Sequence, residues 1–202
     1  MRSFGRDDVE FVDEQTVWSG FWKLKQFRLR FRRFAGGWSE LITRELHCRG
    51  EAAGVLLYDP ALDAVGLVEQ FRIGAAFRAR SPWLLELVAG LVEPGETPAE
   101  VAVRETAEES GCTVRELLPV ASYHSSPGGS NEYFYLFCAR VSLAGAQELH
   151  GKQSEGEDIR LHVIPYAKLA EMQRDGCFDN AHTLIALQWL SIERDGIRRA
   201  WT

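Results

Sequence analysis

The stretch GLVEPGETPAEVAVRETAEESGC, residues 90–112, carries six glutamates: Glu93, Glu96, Glu100, Glu105, Glu108 and Glu109. Its ends read as helix punctuation. Gly95 permits a turn, Thr97 suits an N-cap, Pro98 suits the first helical position, and Gly111 can take the left-handed conformation that stops a helix. At about 100° per residue, a helix over residues 97–110 gathers Glu105, Glu108 and Glu109 on one side and sets Ala99, Val103, Thr106 and Ala107 opposite. One face is then acidic, the other small and apolar. Like charges a turn apart cost roughly 0.2–0.5 kcal/mol per pair on an exposed helix, so a cation belongs there. Carboxylate oxygens are what Mg²⁺ prefers, and it keeps positions for water and phosphate oxygens. The pattern points to phosphoanhydride hydrolysis, against the plainer reading of glutamates on a solvated face.

Written G-x5-E-x7-R-E-U-x-E-E-x-G-U, where U is a bulky aliphatic, the spacing resembles the Nudix box at Gly90, Glu96, Arg104, Glu105, Glu108, Glu109 and Gly111. Thr106 and Cys112 depart from it, standing where a larger aliphatic is common. The resemblance implies an α+β fold, the Nudix α/β/α sandwich with mixed sheets, in which Arg104 and Glu96 brace loop against helix. It also implies that the Ala89 carbonyl, Glu105 and Glu109 hold Mg²⁺, with Mn²⁺ as the substitute, joined by Glu108 and Glu157.

Composition agrees with a globular enzyme. The 202 residues are 46% hydrophobic and 26% charged, enough for one full core plus an appendage. A net charge of −6 disfavours a nucleic-acid surface, yet bound Mg²⁺ and focused arginines would still admit a phosphate substrate. Cys48, Cys112, Cys138 and Cys177 form no C-x-x-C pair, so neither a zinc site nor a disulfide framework is signalled. Residues 1–15 lack the apolar core of a leader and no run reaches membrane-spanning length. The expectation is a cytoplasmic protein with no membrane partner.

Residues 20–34 alternate apolar and basic like a half-exposed strand, and residues 41–48 can pair with them across Gly36-Gly37. This predicts an N-terminal antiparallel β-hairpin subdomain over residues 1–50 ahead of a hydrolase domain over residues 51–202. A more apolar hairpin turns at residues 60–63, and a strand over residues 83–91 leads to the acidic helix. Strands follow at residues 117–123, 132–141 and 158–163, then helices at residues 166–174 and 180–194.

Three further segments resemble those of ADP-ribose pyrophosphatases within the Nudix family: VEQFR ending at Arg72, HSSPGGSNE over residues 124–132, and SEGEDIR over residues 154–160. The resemblance implies cleavage of ADP-ribose to AMP and ribose 5-phosphate. Arg72 would meet the phosphates bidentately. Ser126 and Gly129 lie in a loop where backbone can approach a ligand, although a simple strand connection explains that loop as well. A carboxylate can accept two hydrogen bonds from a vicinal diol, which suits Glu132 to ribose hydroxyls. Phe21, or Trp22 beside it, would stack on adenine with Arg44 in reach, unless these aromatics serve packing. In the family the hairpin exchanges between subunits, which implies a homodimer. Residues 150–158 form a polar loop with glycines at 151 and 156, mobile enough to act as a lid. Resemblance places a water-activating glutamate there, Glu155, counted with Glu108 as catalytic, and a metal-contacting one, Glu157. Alternatives are another nucleotide sugar such as GDP-mannose, or a non-catalytic ADP-ribose sensor. Sensors typically lose box carboxylates, and all are present here.

Overall fold

The computed structural model describes residues 4–77, 80–152, 154 and 156–202. By contacts the chain divides into two compact units, residues 1–50 with 124–133, and residues 51–123 with 134–202.

The first unit is a three-stranded antiparallel sheet in the order β1-β2-β3, with β1 Val9–Ser19, β2 Lys23–Phe31 and β3 Ile42–Cys48. The sequence predicts only the second and third of these. VEFVDEQTVWS alternates poorly, and its register with β2 slips between Phe11 and Asp13 and again between Thr16 and Trp18, so no period-2 signal survives. Gly36 and Gly37, at φ 89° and 73°, supply the left-handed turn between β2 and β3. Residues 124–133 belong to this unit. The His47 N–H donates to the Gly129 carbonyl at 2.8 Å, and the Asn131 side-chain oxygen accepts from the Arg49 N–H at 2.7 Å.

The second unit is built on a sheet in the order β10-β11-β5-β4-β9-β8, among the described residues. Its strands are β4 Glu51–Asp59, β5 Ala64–Phe71, β6 Trp83–Glu86, β7 Val88–Leu91, β8 Glu116–His124, β9 Tyr133–Arg140, β10 Leu149–His150 and β11 Ile159–Pro165. Every residue from Ala52 to Asp59 is buried, as in a strand covered on both faces. Leu56, Tyr58, Val65 and Leu67 pack with Leu169 of α2 (Tyr166–Arg174) and with Leu187 and Leu190 of α3 (Ala181–Trp201). Val55, Leu57, Val68 and Val88 pack on the other face with Ala102 of α1 (Pro98–Ser110). Sheet between helices is the α/β/α arrangement. Each such buried aliphatic contributes roughly 1.5–3 kcal/mol.

One irregularity shapes the sheet beside α1. β4 and β5 pair only at Leu57–Asp59 with Ala64–Gly66 and then separate. The strand predicted over residues 83–91 breaks at Leu87 to fill the gap: β6 pairs with β5 over Val68–Phe71, and β7 pairs with β4 over Ala52–Val55. A single strand cannot follow two diverging neighbours, so it changes partner. α3 runs seven residues past the predicted end at residue 194, because Ile197 and Trp201 keep the apolar face in the core. Among the described residues no helix is long and apolar enough to cross a membrane.

Candidate active site

α1 starts as its sequence dictates. The Thr97 hydroxyl accepts from the Glu100 N–H, the Glu100 carboxylate accepts from the Thr97 N–H at 2.7 Å, and Pro98 takes the first turn. Gly111 ends it at φ 64°. The face assignment needs correction. Ala99, Val103 and Ala107 are exposed, whereas Val101, Ala102, Thr106, Glu109 and Ser110 are buried. Thr106 removes its polarity by donating to the Ala102 carbonyl at 2.7 Å. Angular spacing shows which residues share a side of the helix, not which side the sheet covers. Here the sheet covers the edge carrying Glu109.

Glu109 is 3% exposed and accepts from the Ala89 N–H at 3.1 Å, tying α1 to β7. Burial, with Glu105 and Glu157 near it, pushes its carboxyl up to about 8, against the Ala89 hydrogen bond and Arg72, which draw it down. Burial also raises Glu105, partly offset by Arg104. Gly90 is required by contact, since a Cβ there would fall 1.8 Å from the Glu105 Oε1. Arg104 ties α1 to the loop before it. Its Nε and Nη2 reach the two Glu96 oxygens at 3.0 and 3.1 Å and hold that carboxyl below its usual range, while its Nη1 reaches Glu105 at 2.6 Å and Glu108 at 3.4 Å.

No sequence pattern points to Lys152. Its Nζ stands 2.8 Å from the Glu108 Oε2, and its N–H donates to Glu157 at 3.1 Å, bringing the downstream loop onto the helix. Among the described residues no three His, Cys, Asp or Glu side chains converge at metal distance. Arg104 and Lys152 occupy those oxygens instead. The donor set nonetheless fits a divalent cation: all oxygen, several negative charges, and a carboxylate made reluctant to ionise by burial and by its acidic neighbours. Glu155, the expected base, lies outside the described residues.

Arg72 follows β5 and ion-pairs through Nε with the Glu86 Oε2 at 2.6 Å. Gln70, two residues earlier on the same strand face, is 7% exposed and leaves its buried Nε2 without an acceptor among the described residues.

The remaining expected residues lie in the first unit. Glu132 is 8% exposed, paired with the Arg49 Nε at 2.9 Å and accepting from the Ser125 hydroxyl. The Arg49 guanidinium lies over the Trp22 ring at 4.8 Å, and Trp22 meets Phe21 edge-on at 4.7 Å. Phe21 itself is 84% exposed. Arg44 on β3 is exposed and donates to the Thr43 carbonyl. The Ser126 carbonyl accepts from Gly129 and Ser130 in the loop turn, and apart from its chain neighbours no atom of the described residues lies within 4 Å of a Cβ built on Gly129. Arg49, Lys152 and Glu86 escape a reading of the sequence because their partners are 83, 44 and 14 residues away, with no local pattern linking them.

The NUDIX domain pattern matches residues 49–187. The chain belongs to the NUDIX family. It is 43% identical, over 100% of this chain and 94% of the relative, to an ADP-ribose pyrophosphatase of Haemophilus influenzae. It is 41% identical to an ADP-ribose pyrophosphatase of Escherichia coli K12 over 98% of this chain and 95% of the relative. A GDP-mannose pyrophosphatase of Cronobacter sakazakii is more distant, 30% identical over 92% of this chain and 96% of the relative. The solved structure of an ADP compounds hydrolase superposes with a TM-score of 0.69 at 20% identity, covering 95% of this chain and 98% of the other. At that identity it speaks for the NUDIX fold alone.

Proposed function

We propose that this NUDIX hydrolase cleaves the diphosphate of ADP-ribose to AMP and ribose 5-phosphate, with Mg²⁺ as the cofactor and Mn²⁺ as its substitute. The observation that carries the chemistry is the buried Glu109 beside Glu105, held against β7 where a further positive charge would relieve it. The substrate rests on full-length similarity, 43% to an ADP-ribose pyrophosphatase against 30% to a GDP-mannose pyrophosphatase.

The Ala89 carbonyl, Glu105 and Glu109 would hold the ions, with Glu108 and Glu157 as further ligands. Such ions neutralise the diphosphate and acidify water. Attack of water on one phosphorus breaks the anhydride P–O bond, and Glu155 takes the proton. Arg72 steadies the phosphates. Glu132 receives the ribose hydroxyls, Phe21 and Arg44 the adenine, and the backbone around Ser126 and Gly129 lines the same region.

The N-terminal sheet is proposed as a dimer-forming subdomain over residues 1–50, exchanged between copies. Phe11, Val12 and Trp18 on β1 are 45%, 52% and 56% exposed, which supports this. Free thiols at Cys48, Cys112, Cys138 and Cys177 suit a reducing cytoplasm.

Incubation with Mg²⁺ and ADP-ribose, GDP-mannose, UDP-glucose or NADH tests the substrate. ADP-ribose is expected to give the highest kcat/KM. A higher value on GDP-mannose would move the assignment to that substrate, and ADP-ribose binding without formation of AMP and ribose 5-phosphate would make the protein a sensor.

A further inference from the structure

The ion pair between Arg72 and Glu86 is asymmetric in its exposure. Arg72 is 45% exposed and Glu86 only 16%, so the carboxylate is the anchored partner and the guanidinium the presented one. The grip is on Nε alone. Nη1 and Nη2, the two ends that form the fork, have no protein acceptor among the described residues. Register explains how Glu86 comes to be there. It stands opposite Val68 on β5, on the sheet face that α1 covers, and the break at Leu87 follows immediately. Gln70 continues that face, and Arg72, one residue past the end of β5, is close enough to Glu109 to favour its charged form.

An unbound arginine this exposed samples many rotamers, and fixing them on ligand binding costs affinity. Holding it by Nε leaves the planar fork aimed and free for two parallel bonds to a phosphate.

We propose that Glu86 is a positioning residue: its carboxylate fixes Arg72 by Nε so that the free Nη fork meets the substrate diphosphate. This rests on the hydrolase reading and adds to it a residue that touches no substrate.

The test is a double-mutant cycle of Glu86→Gln and Arg72→Ala, each variant first checked for an unchanged thermal midpoint. It uses steady-state kinetics on ADP-ribose and calorimetry with a non-hydrolysable methylene analogue of it. Glu86→Gln is expected to raise KM and weaken analogue binding about tenfold while kcat stays within about twofold. In the Arg72→Ala background the same change is expected to do nothing further, since the residue it positions is gone. Glu86→Asp should recover part of the loss. A full Glu86→Gln effect in the Arg72→Ala background would overturn the proposal, as would normal KM and binding in Glu86→Gln while Arg72→Ala is impaired. If Arg72→Ala itself leaves both readouts unchanged, the phosphate role of Arg72 is what fails.

Discussion

Glu109 sits in conflict with its surroundings, and the conflict has a pH signature. Its carboxyl rises from the ordinary 4.5 to about 8 in the folded chain. Between those values the folded state keeps a proton that the unfolded state releases, so stability falls as pH rises through that window and is fully present only below it. Every tenfold change in proton affinity amounts to about 1.4 kcal/mol. The thermal midpoint of metal-free protein should therefore drop between about pH 5 and pH 8. Glu109→Gln should flatten that drop in calorimetry while lowering hydrolysis by orders of magnitude. A wild-type midpoint independent of pH would contradict the burial argument, and near-normal turnover in the variant would contradict the metal assignment. That Glu109 is a candidate site residue is legible in the box spacing. That it is buried is not, because spacing gives an angle about the helix axis and says nothing of what the helix faces. The exposed Val103 and the buried Thr106 show the same limit.

At the scale of elements, α1 is specified almost wholly by local chemistry. Thr97 and Glu100 close a reciprocal pair of hydrogen bonds, Pro98 pre-sets the first turn, and Gly111 accepts the left-handed stop. Thr97→Ala should cost about 1 kcal/mol of stability in urea unfolding. Turnover should remain within about twofold, since Glu105 and Glu109 stand two or more turns from the cap. A large loss of turnover at unchanged stability would mean that the N-terminus of α1 takes part in the site. α2 is equally legible, its predicted and observed bounds being the same. β1 is not, since its two register slips erase the alternation. The division of residues 83–91 into β6 and β7 is not either, because it answers to the parting of β4 and β5, an event between distant strands.

For the whole molecule, a bound cation would be linked to folding. Arg104 and Lys152 hold the carboxylates that a divalent ion would take, so under the proposed function Mg²⁺ would have to displace or coexist with them. Adding Mg²⁺ should raise the thermal midpoint, by about 2.7 kcal/mol of stability at a hundred times its Kd. The rise should be larger at pH 8 than at pH 5, where protons compete for Glu109. An equal rise at both would place the ion elsewhere. What the sequence determined by itself is the chemistry: seven box positions, a capped helix and a buried hairpin are short-range patterns, and family membership follows from them. The tertiary structure decided which face of α1 the sheet covers, which basic side chains pair with the cluster, and that Glu86 grips Arg72. Those outcomes depend on strands far apart in the chain arriving side by side, and no local period encodes where a neighbour from elsewhere in the chain will stand.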